Sequence, residues 1–255
     1  MSDSTREAIS KVPAITLGFW VIKILATTLG ETGGDTVSMT MNLGYLLSSA
    51  IFLSILIVLV IWQTVAKRYH PLLYWATIIA STTAGTTMAD FATRSLGIGY
   101  PGGSLLLLAC VTASLGVWHW TLESISVATV HEPRAESFYW ITITFSQTLG
   151  TALGDWTADA NPYGFAGAAI LFGAMLAVIT LLYFRTKVDH VLLFWMAFIL
   201  TRPLGAAVGD YLDKPAAQGG LEFSRPLTSA VLAVAILAGL LLFSRRAAPA
   251  SLENR

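Results

Sequence analysis

The chain has 255 residues, 55% of them hydrophobic and only 12% charged, where an ordinary soluble domain carries about 25% charged residues; with a mean hydropathy of +0.68, the bilayer is the expected solvent. Fifteen Lys and Arg against fifteen Asp and Glu leave no net charge, which excludes a basic surface for phosphates and so argues against nucleic acid as a partner. The one cysteine, Cys110, lies in an apolar run and excludes an intrachain disulfide or thiolate zinc cluster.

The opening stretch MSDSTREAISK is polar and lacks both the basic region and the small-residue cleavage site of a signal peptide. The first apolar stretch is therefore predicted to be a transmembrane helix. Eight runs of spanning length follow in order, over roughly 14–35, 43–65, 72–91, 103–122, 137–156, 164–184, 189–211 and 226–244. The even-numbered runs have uncharged centres, such as Ile51 to Trp62 and Ala168 to Tyr183, as helices facing lipid require. The odd-numbered runs hold the charge.

Basic residues alternate from loop to loop. Arg6 and Lys11, Lys67 and Arg68, Arg134, Arg185 and Lys187, and Arg245 and Arg246 fall on one side, which the positive-inside rule makes cytoplasmic. The opposite loops hold Arg94, Lys214 and Arg225 together with Asp159, Asp213 and Glu222. Both termini are then expected in the cytoplasm. The division is a first half over 1–122, a polar cytoplasmic linker over 123–136, a second half over 137–246 and a cytoplasmic tail over 247–255.

Self-similarity is the strongest signal. An aromatic-Trp pair opens each odd run: Phe19-Trp20, Tyr74-Trp75, Tyr139-Trp140 and Phe194-Trp195. Ten residues after each Trp stands Gly30, Gly85, Gly150 or Gly205; four later comes Gly34, Ala89, Gly154 or Gly209; the next residue is always Asp, at 35, 90, 155 and 210. The register holds without a gap, so a two-helix unit has been duplicated twice. Units with an even number of spans all run the same way, which predicts an all-α polytopic membrane protein of eight transmembrane helices in four parallel repeats, with pseudo-symmetry along the membrane normal.

The Gly-x-x-x-small spacing leaves two positions without bulk on one helix face, where another backbone can approach closely; the bland function of these glycines is packing. Stepping back from each Asp in fours gives one stripe per helix. The stripes are Lys23, Thr27, Glu31, Asp35; Ile78, Thr82, Thr86, Asp90; Ile143, Gln147, Thr151, Asp155; and Phe198, Arg202, Ala206, Asp210. Hydroxyls at Thr28, Ser81, Thr83, Ser146, Thr148 and Thr201 flank them as further oxygen ligands or hydrogen-bond partners. If the Trp residues mark an inner aromatic belt, each Asp lies about 22 Å further along, near the outer end of its span.

Within the stripes, Glu31 and the four Asp face only Lys23 and Arg202. Ionised groups in a span normally pair or line a watery cavity, so a bound cation or protonation is expected to relieve this excess of acid. Carboxylates, hydroxyls and carbonyls suit Mg²⁺, Mn²⁺ or Ca²⁺, which makes Asp35, Asp90, Asp155, Asp210 and Glu31 the candidate metal ligands. Lys23, Thr27, Thr82, Thr86, Gln147, Thr151 and Arg202 are the candidate path and gating residues. His70, His119, His131 and His190 fall toward the cytoplasmic ends, away from the Asp layer; an inner entry site would pair His131 or His190 with Glu132 or Asp189. Arg202 is expected to pair with Glu31 or Asp35, or else to stand in for a cation, and Pro203 makes the fourth copy the candidate moving helix.

The segments ILATTLGETGGD, IASTTAGTTMAD, TFSQTLGTALGD and FILTRPLGAAVGD resemble a bacterial family of uncharacterised membrane-anchored proteins with repeated Thr-x-Gly and Gly-Asp helices, over nearly the whole chain. That resemblance implies a multi-pass protein of the bacterial inner (plasma) membrane and brings no activity with it. A fainter likeness runs to manganese and calcium exporters with Glu-x-Gly-Asp helices, although Glu31 to Asp35 is one residue longer than that motif and the third and fourth copies lack its Glu.

The expected function is transport of a divalent metal cation, with Mn²⁺ export the foremost case. The metal is the substrate, and no organic cofactor is expected. A non-transporting structural or regulatory protein, or a carrier of an anionic or organic solute using Lys23 and Arg202, are the rivals. No Ser/His, Cys/His or HExxH arrangement supports an enzyme. The partners are the lipid bilayer and the cation, and the sequence admits a homo-oligomer.

Overall fold

The computed structural model describes residues 11–243 apart from 67, 128, 129, 131 and 161. Arg6, Lys67, His131, Arg245, Arg246 and the 247–255 tail lie outside the described residues. The rest forms eight long helices: α1 Leu17–Asp35, α2 Gly44–Val65, α3 Pro71–Asp90, α4 Gly99–Leu122, α5 Pro133–Ala160, α6 Gly164–Arg185, α7 His190–Asp213 and α8 Arg225–Phe243. Because α5 begins at Pro133, residues 133–136 belong to that helix and not to the linker. Pro203 lies inside α7, which continues through it.

Local chemistry marks the helix starts. The Thr16 hydroxyl accepts from the Phe19 N–H, Pro71 occupies the first turn of α3, and the Asp189 carboxylate accepts from the Leu192 N–H at 2.7 Å, each satisfying or removing an unpaired donor. Gly44, Gly99 and Gly164 open α2, α4 and α6 with φ of +73°, +71° and +56°, a left-handed conformation in which a side chain is strained. The same tight reversal thus follows the first three copies of the Asp helix.

The four odd helices close into a ring, α1 on α3, α3 on α5, α5 on α7 and α7 on α1. The even helices form an outer layer with an interlocked order. Each rests on the inner helix of the next repeat: α2 on α3, α4 on α5, α6 on α7 and α8 on α1. No repeat is self-contained, so the ring closes only when the fourth unit meets the first.

Among the described residues, α2, α4, α6, α7 and α8 are long and apolar enough to cross a membrane by length and composition alone. The other three, α1, α3 and α5, carry polar stripes as α7 does, and their neighbours shield them. In α3 the residues from Thr82 to Thr87 are all buried, whereas most of α2, α4, α6 and α8 is exposed apolar surface, for example Val58, Leu105, Ile170 and Leu241. That is the inside-out hydrophobic pattern of a bundle whose solvent is lipid.

The aromatic-Trp pairs do not form a lipid-facing belt. Phe19, Tyr74, Trp75, Tyr139, Trp140, Phe194 and Trp195 are buried in one cluster that Trp118 of α4 joins. The Tyr74 and Tyr139 hydroxyls meet at 2.6 Å within it. An aromatic ring needs burial as much as an interface, and here the N-terminal ends of the four converging helices α1, α3, α5 and α7 supply it.

Candidate functional site

The stripes of the four inner helices face the ring axis and stack in layers four residues apart. From the aromatic end these are Phe19/Tyr74/Tyr139/Phe194, then Lys23/Ile78/Ile143/Phe198, then Thr27/Thr82/Gln147/Arg202, then Glu31/Thr86/Thr151/Ala206, and last Asp35/Asp90/Asp155/Asp210. Every one of these residues is buried. From first to last layer is about 24 Å at helical rise, so the polar part runs from mid-bundle to one end.

The small residues seat these layers. A Cβ placed on Gly30 would meet Thr82, on Gly85 the backbone of Gln147, on Gly150 the Arg202 side chain, and on Gly205 Thr27. Each glycine thus receives the third-layer residue of the next repeat, and the fourth receives that of the first. One turn on, Gly34 faces Thr86 at 3.1 Å, Gly154 faces Ala206 at 3.1 Å and Gly209 faces Glu31 at 2.8 Å. Close backbone approach is what small-xxx-small spacing permits; here it also presses the stripe side chains onto the axis.

Arg202 fills the axis. It is fully buried and touches each of the other three inner helices. Nη1 donates to Glu31 Oε2 at 3.0 Å and to the Thr27 carbonyl at 3.4 Å; Nη2 donates to the hydroxyls of Thr86 and Thr151, each at 2.5 Å, and to the Thr82 carbonyl at 3.3 Å. Thr86 relays the contact, lying 3.1 Å from the Gly30 carbonyl and 3.3 Å from Glu31. A planar fork with five donors meets such a set of acceptors where an ammonium cannot.

The four aspartates are buried, from 0 to 4% exposed, and none ends its helix in solvent. They divide into two pairs, each held by one cation. Arg94 reaches Asp90 through Nε at 2.7 Å and Asp155 through Nη2 at 2.9 Å. Lys214 reaches Asp35 at 2.5 Å and Asp210 at 3.1 Å. Lys214 stands just beyond the end of α7; burial lowers its pKa, and Asp210 and Asp35 outweigh that to hold it well above the ordinary lysine value. Arg225 at the start of α8 lies 3.5 Å from Asp213 and 3.9 Å from Asp35.

The sequence-based charge count therefore changes. Arg94, Lys214 and Arg225 fold back onto the Asp layer and are not free loop cations. Both Arg94 and Lys214 stand four residues after an Asp, the spacing of a helical ion pair, and that was the signal available for them. The five candidate ligands do not form one cluster. Glu31, Asp35 and Asp210 each offer an oxygen within 4.8 Å of the others, all buried, while Arg94 ties Asp90 and Asp155 into a separate pair.

Other expected ligands are engaged elsewhere. Thr28, Ser81, Thr83, Thr148 and Thr201 donate to carbonyls three or four residues back in their own helices, as hydroxyls inside helices commonly do. Asp189 caps α7, and the His190 ring lies 4.5 Å from that of Tyr183, tilted by 34°.

Beside the Asp layer a cavity of about 570 Å³ opens between Arg94, Asp155, Lys214, Arg225 and the rings of Tyr45 and Tyr100. It reaches both cations that hold the Asp pairs. At the opposite end the bundle is covered: the Lys11 N–H donates to the Val130 carbonyl, and Lys11 Nζ lies 2.7 Å from buried Glu136 and 3.0 Å from the Thr64 carbonyl at the end of α2.

The family described as a Repeat of Unknown Function (DUF347) matches residues 18–69, 73–123, 138–189 and 193–248. Each match spans one inner helix and the outer helix after it. No curated protein and no solved structure matches the chain.

Proposed function

Because the chain belongs to the family of the Repeat of Unknown Function DUF347, which names no activity, we propose from its chemistry alone that it transports a divalent metal cation of the Mn²⁺, Mg²⁺ and Ca²⁺ class across a membrane. The single observation that supports this reading is the convergence of Glu31, Asp35 and Asp210 within 4.8 Å. Oxygens bound at about 2.1 to 2.5 Å to one hard ion lie at most about 5 Å apart. Thr86, in contact with Glu31, adds a neutral oxygen of the same hard character.

Lys214 occupies the place of a cation between Asp35 and Asp210. An arriving ion exchanges with this tethered ammonium, which withdraws into the 570 Å³ cavity that it lines. Two carboxylates need not then be left unpaired in a low-dielectric site, a state that costs several kcal/mol. Arg202 blocks the axis below and must leave Glu31 for the ion to pass, so the α1–α7 contact is the gate. Asp90 and Asp155, held by a guanidinium that does not deprotonate, serve as structure. The aromatic end, where Lys11, Arg68 and Arg185 lie, is the cytoplasmic side by the positive-inside rule, and Mn²⁺ export from a bacterial cytoplasm is the foremost case.

The test is the metal content and metal tolerance of a strain lacking the protein, complemented with wild type, Glu31→Gln, Asp210→Asn or Asp90→Asn. Asp90→Asn is expected to restore Mn²⁺ levels, and the other two variants to fail. Normal content of Mn²⁺, Mg²⁺ and Ca²⁺ in the deletion strain, or full rescue by Asp210→Asn, overturns the proposal.

A further inference from the structure

Between the aromatic cluster and the Arg202–Glu31 contact, the second and third layers hold a group of buried polar atoms that are not ligands of the proposed cation site. Lys23 Nζ, Thr82 Oγ1, both amide atoms of Gln147 and Arg202 Nε have no hydrogen-bond partner among the described residues. All four residues are 0% exposed. Native proteins rarely leave such groups unpaired, and here they gather on one stretch of one axis. Lys23 lies 4.1 Å from the centre of the Phe198 ring, and Arg202 follows Phe198 by one helical turn on the same stripe. Gln147 shares the Arg202 layer on the adjacent helix α5. Ile78, Ile143 and Phe198 complete the Lys23 layer and offer no acceptor.

Donors outnumber acceptors in this group, where the unpaired acceptors are the Gln147 amide oxygen and the Thr82 hydroxyl. The ammonium keeps three N–H bonds, of which an aromatic face satisfies one direction only; Arg202 Nε and the Gln147 amide add more. Glu31 is held by the Arg202 fork, so Lys23 has no carboxylate of its own. A metal ion finds no anionic ligand here. Lys23 precedes Glu31, the nearest member of the carboxylate cluster on its helix, by eight residues, about 12 Å at helical rise, and Arg202 touches that cluster through Nη1 and not Nε.

We propose that Lys23, Gln147 and Arg202 Nε form a mid-bundle binding site for a small monovalent anion, of the halide or planar oxoanion class, distinct from the carboxylate site above it. One such ion neutralises Lys23 and supplies the acceptor that three side chains lack. The Tyr74–Tyr139 contact, one layer before Lys23, and Arg202 bound the site along the axis.

The test uses the full-length protein in detergent with a divalent-metal chelator present, so that no cation-site ligand contributes. Thermal unfolding is followed by tryptophan fluorescence in sodium chloride, nitrate or gluconate at fixed ionic strength. The expected result is a saturable rise of the midpoint in chloride or nitrate over gluconate, about 3–6 °C at ten times the half-saturating concentration. Lys23→Met should abolish the rise and Gln147→Leu should weaken the apparent affinity at least tenfold, while Asp210→Asn, which removes a cation ligand, should retain it. If Lys23→Met is not monodisperse, Gln147→Glu, which places a negative charge in the site, should abolish the rise instead. Equal midpoints in all three salts for wild type, a linear rise without saturation, or a rise retained in Lys23→Met or Gln147→Glu overturns the proposal.

Discussion

Gly85→Ala probes the ring where it is least forgiving. A Cβ there would lie 2.9 Å from the carbonyl carbon and 2.9 Å from the nitrogen of the Gln147–Thr148 peptide, where carbon contacts are optimal at about 3.5 to 4.0 Å. The atoms it meets are backbone in the middle of α5, so no rotamer change relieves the overlap; α3 and α5 must separate by about 0.5 to 1 Å. Overpacking of this kind costs about 1 to 3 kcal/mol, and the separation would also loosen the Arg202 bonds to Thr82 and Thr151. Gly33→Ala is the internal control, since nothing lies within 4 Å of its Cβ position and Ala exceeds Gly in a helix by up to about 1 kcal/mol. The assay is thermal unfolding of the purified variants in detergent. A lowered midpoint for Gly85→Ala and an unchanged or raised midpoint for Gly33→Ala are expected. Equal effects at the two positions would refute the assignment of Gly85 to a backbone-to-backbone crossing.

Arg202→Met leaves Glu31 buried without its partner and should destabilise by about 3 to 5 kcal/mol, whereas Arg202→Met combined with Glu31→Leu should recover most of that loss; a double variant no better than the single one, by the same unfolding assay, contradicts the pair. Tyr74→Phe removes one hydroxyl of the buried 2.6 Å contact and should cost about 1 kcal/mol, with no change in Mn²⁺ binding by titration calorimetry. Lys214→Met removes the tethered competitor from Asp35 and Asp210 and should tighten Mn²⁺ binding about tenfold, while Arg94→Met should leave that affinity within about twofold and lower the unfolding midpoint. Equal binding effects of the two substitutions would sink the division of the aspartates into a working and a structural pair.

The repeat and its direction are legible in the sequence because duplication preserved rare residues at fixed offsets: Trp, then Gly ten residues on, then Asp five residues later. The inward stripe follows from helical period alone. What the stripe meets does not, because each glycine seats a residue from the next repeat, 52 to 62 positions further on for Gly30, Gly85 and Gly150, and for Gly205 the chain must return to Thr27. Arg94 and Lys214 read as loop residues, yet both stand one helical turn beyond an Asp and reach back to it, Arg94 within the π-helical turn Phe91–Ser95 and Lys214 just beyond the end of α7. Of the two uses the sequence leaves open for the flanking threonines, ligand or hydrogen-bond partner, Thr28, Thr83, Thr148 and Thr201 take the second, each on a carbonyl of the preceding turn. The Trp residues, expected at a lipid interface, instead fill the space where four helices converge.

The most direct measurement is Mn²⁺ flux into liposomes reconstituted with the purified protein, comparing wild type with Glu31→Gln, Asp210→Asn and Asp90→Asn at equal protein incorporation. A carboxylate site shared by α1 and α7 requires saturable flux in wild type and Asp90→Asn, and a loss of at least about tenfold in the other two, the size expected when about 1.4 kcal/mol of ion stabilisation is removed. Wild-type flux no greater than in protein-free liposomes, or undiminished flux in Asp210→Asn, would contradict it.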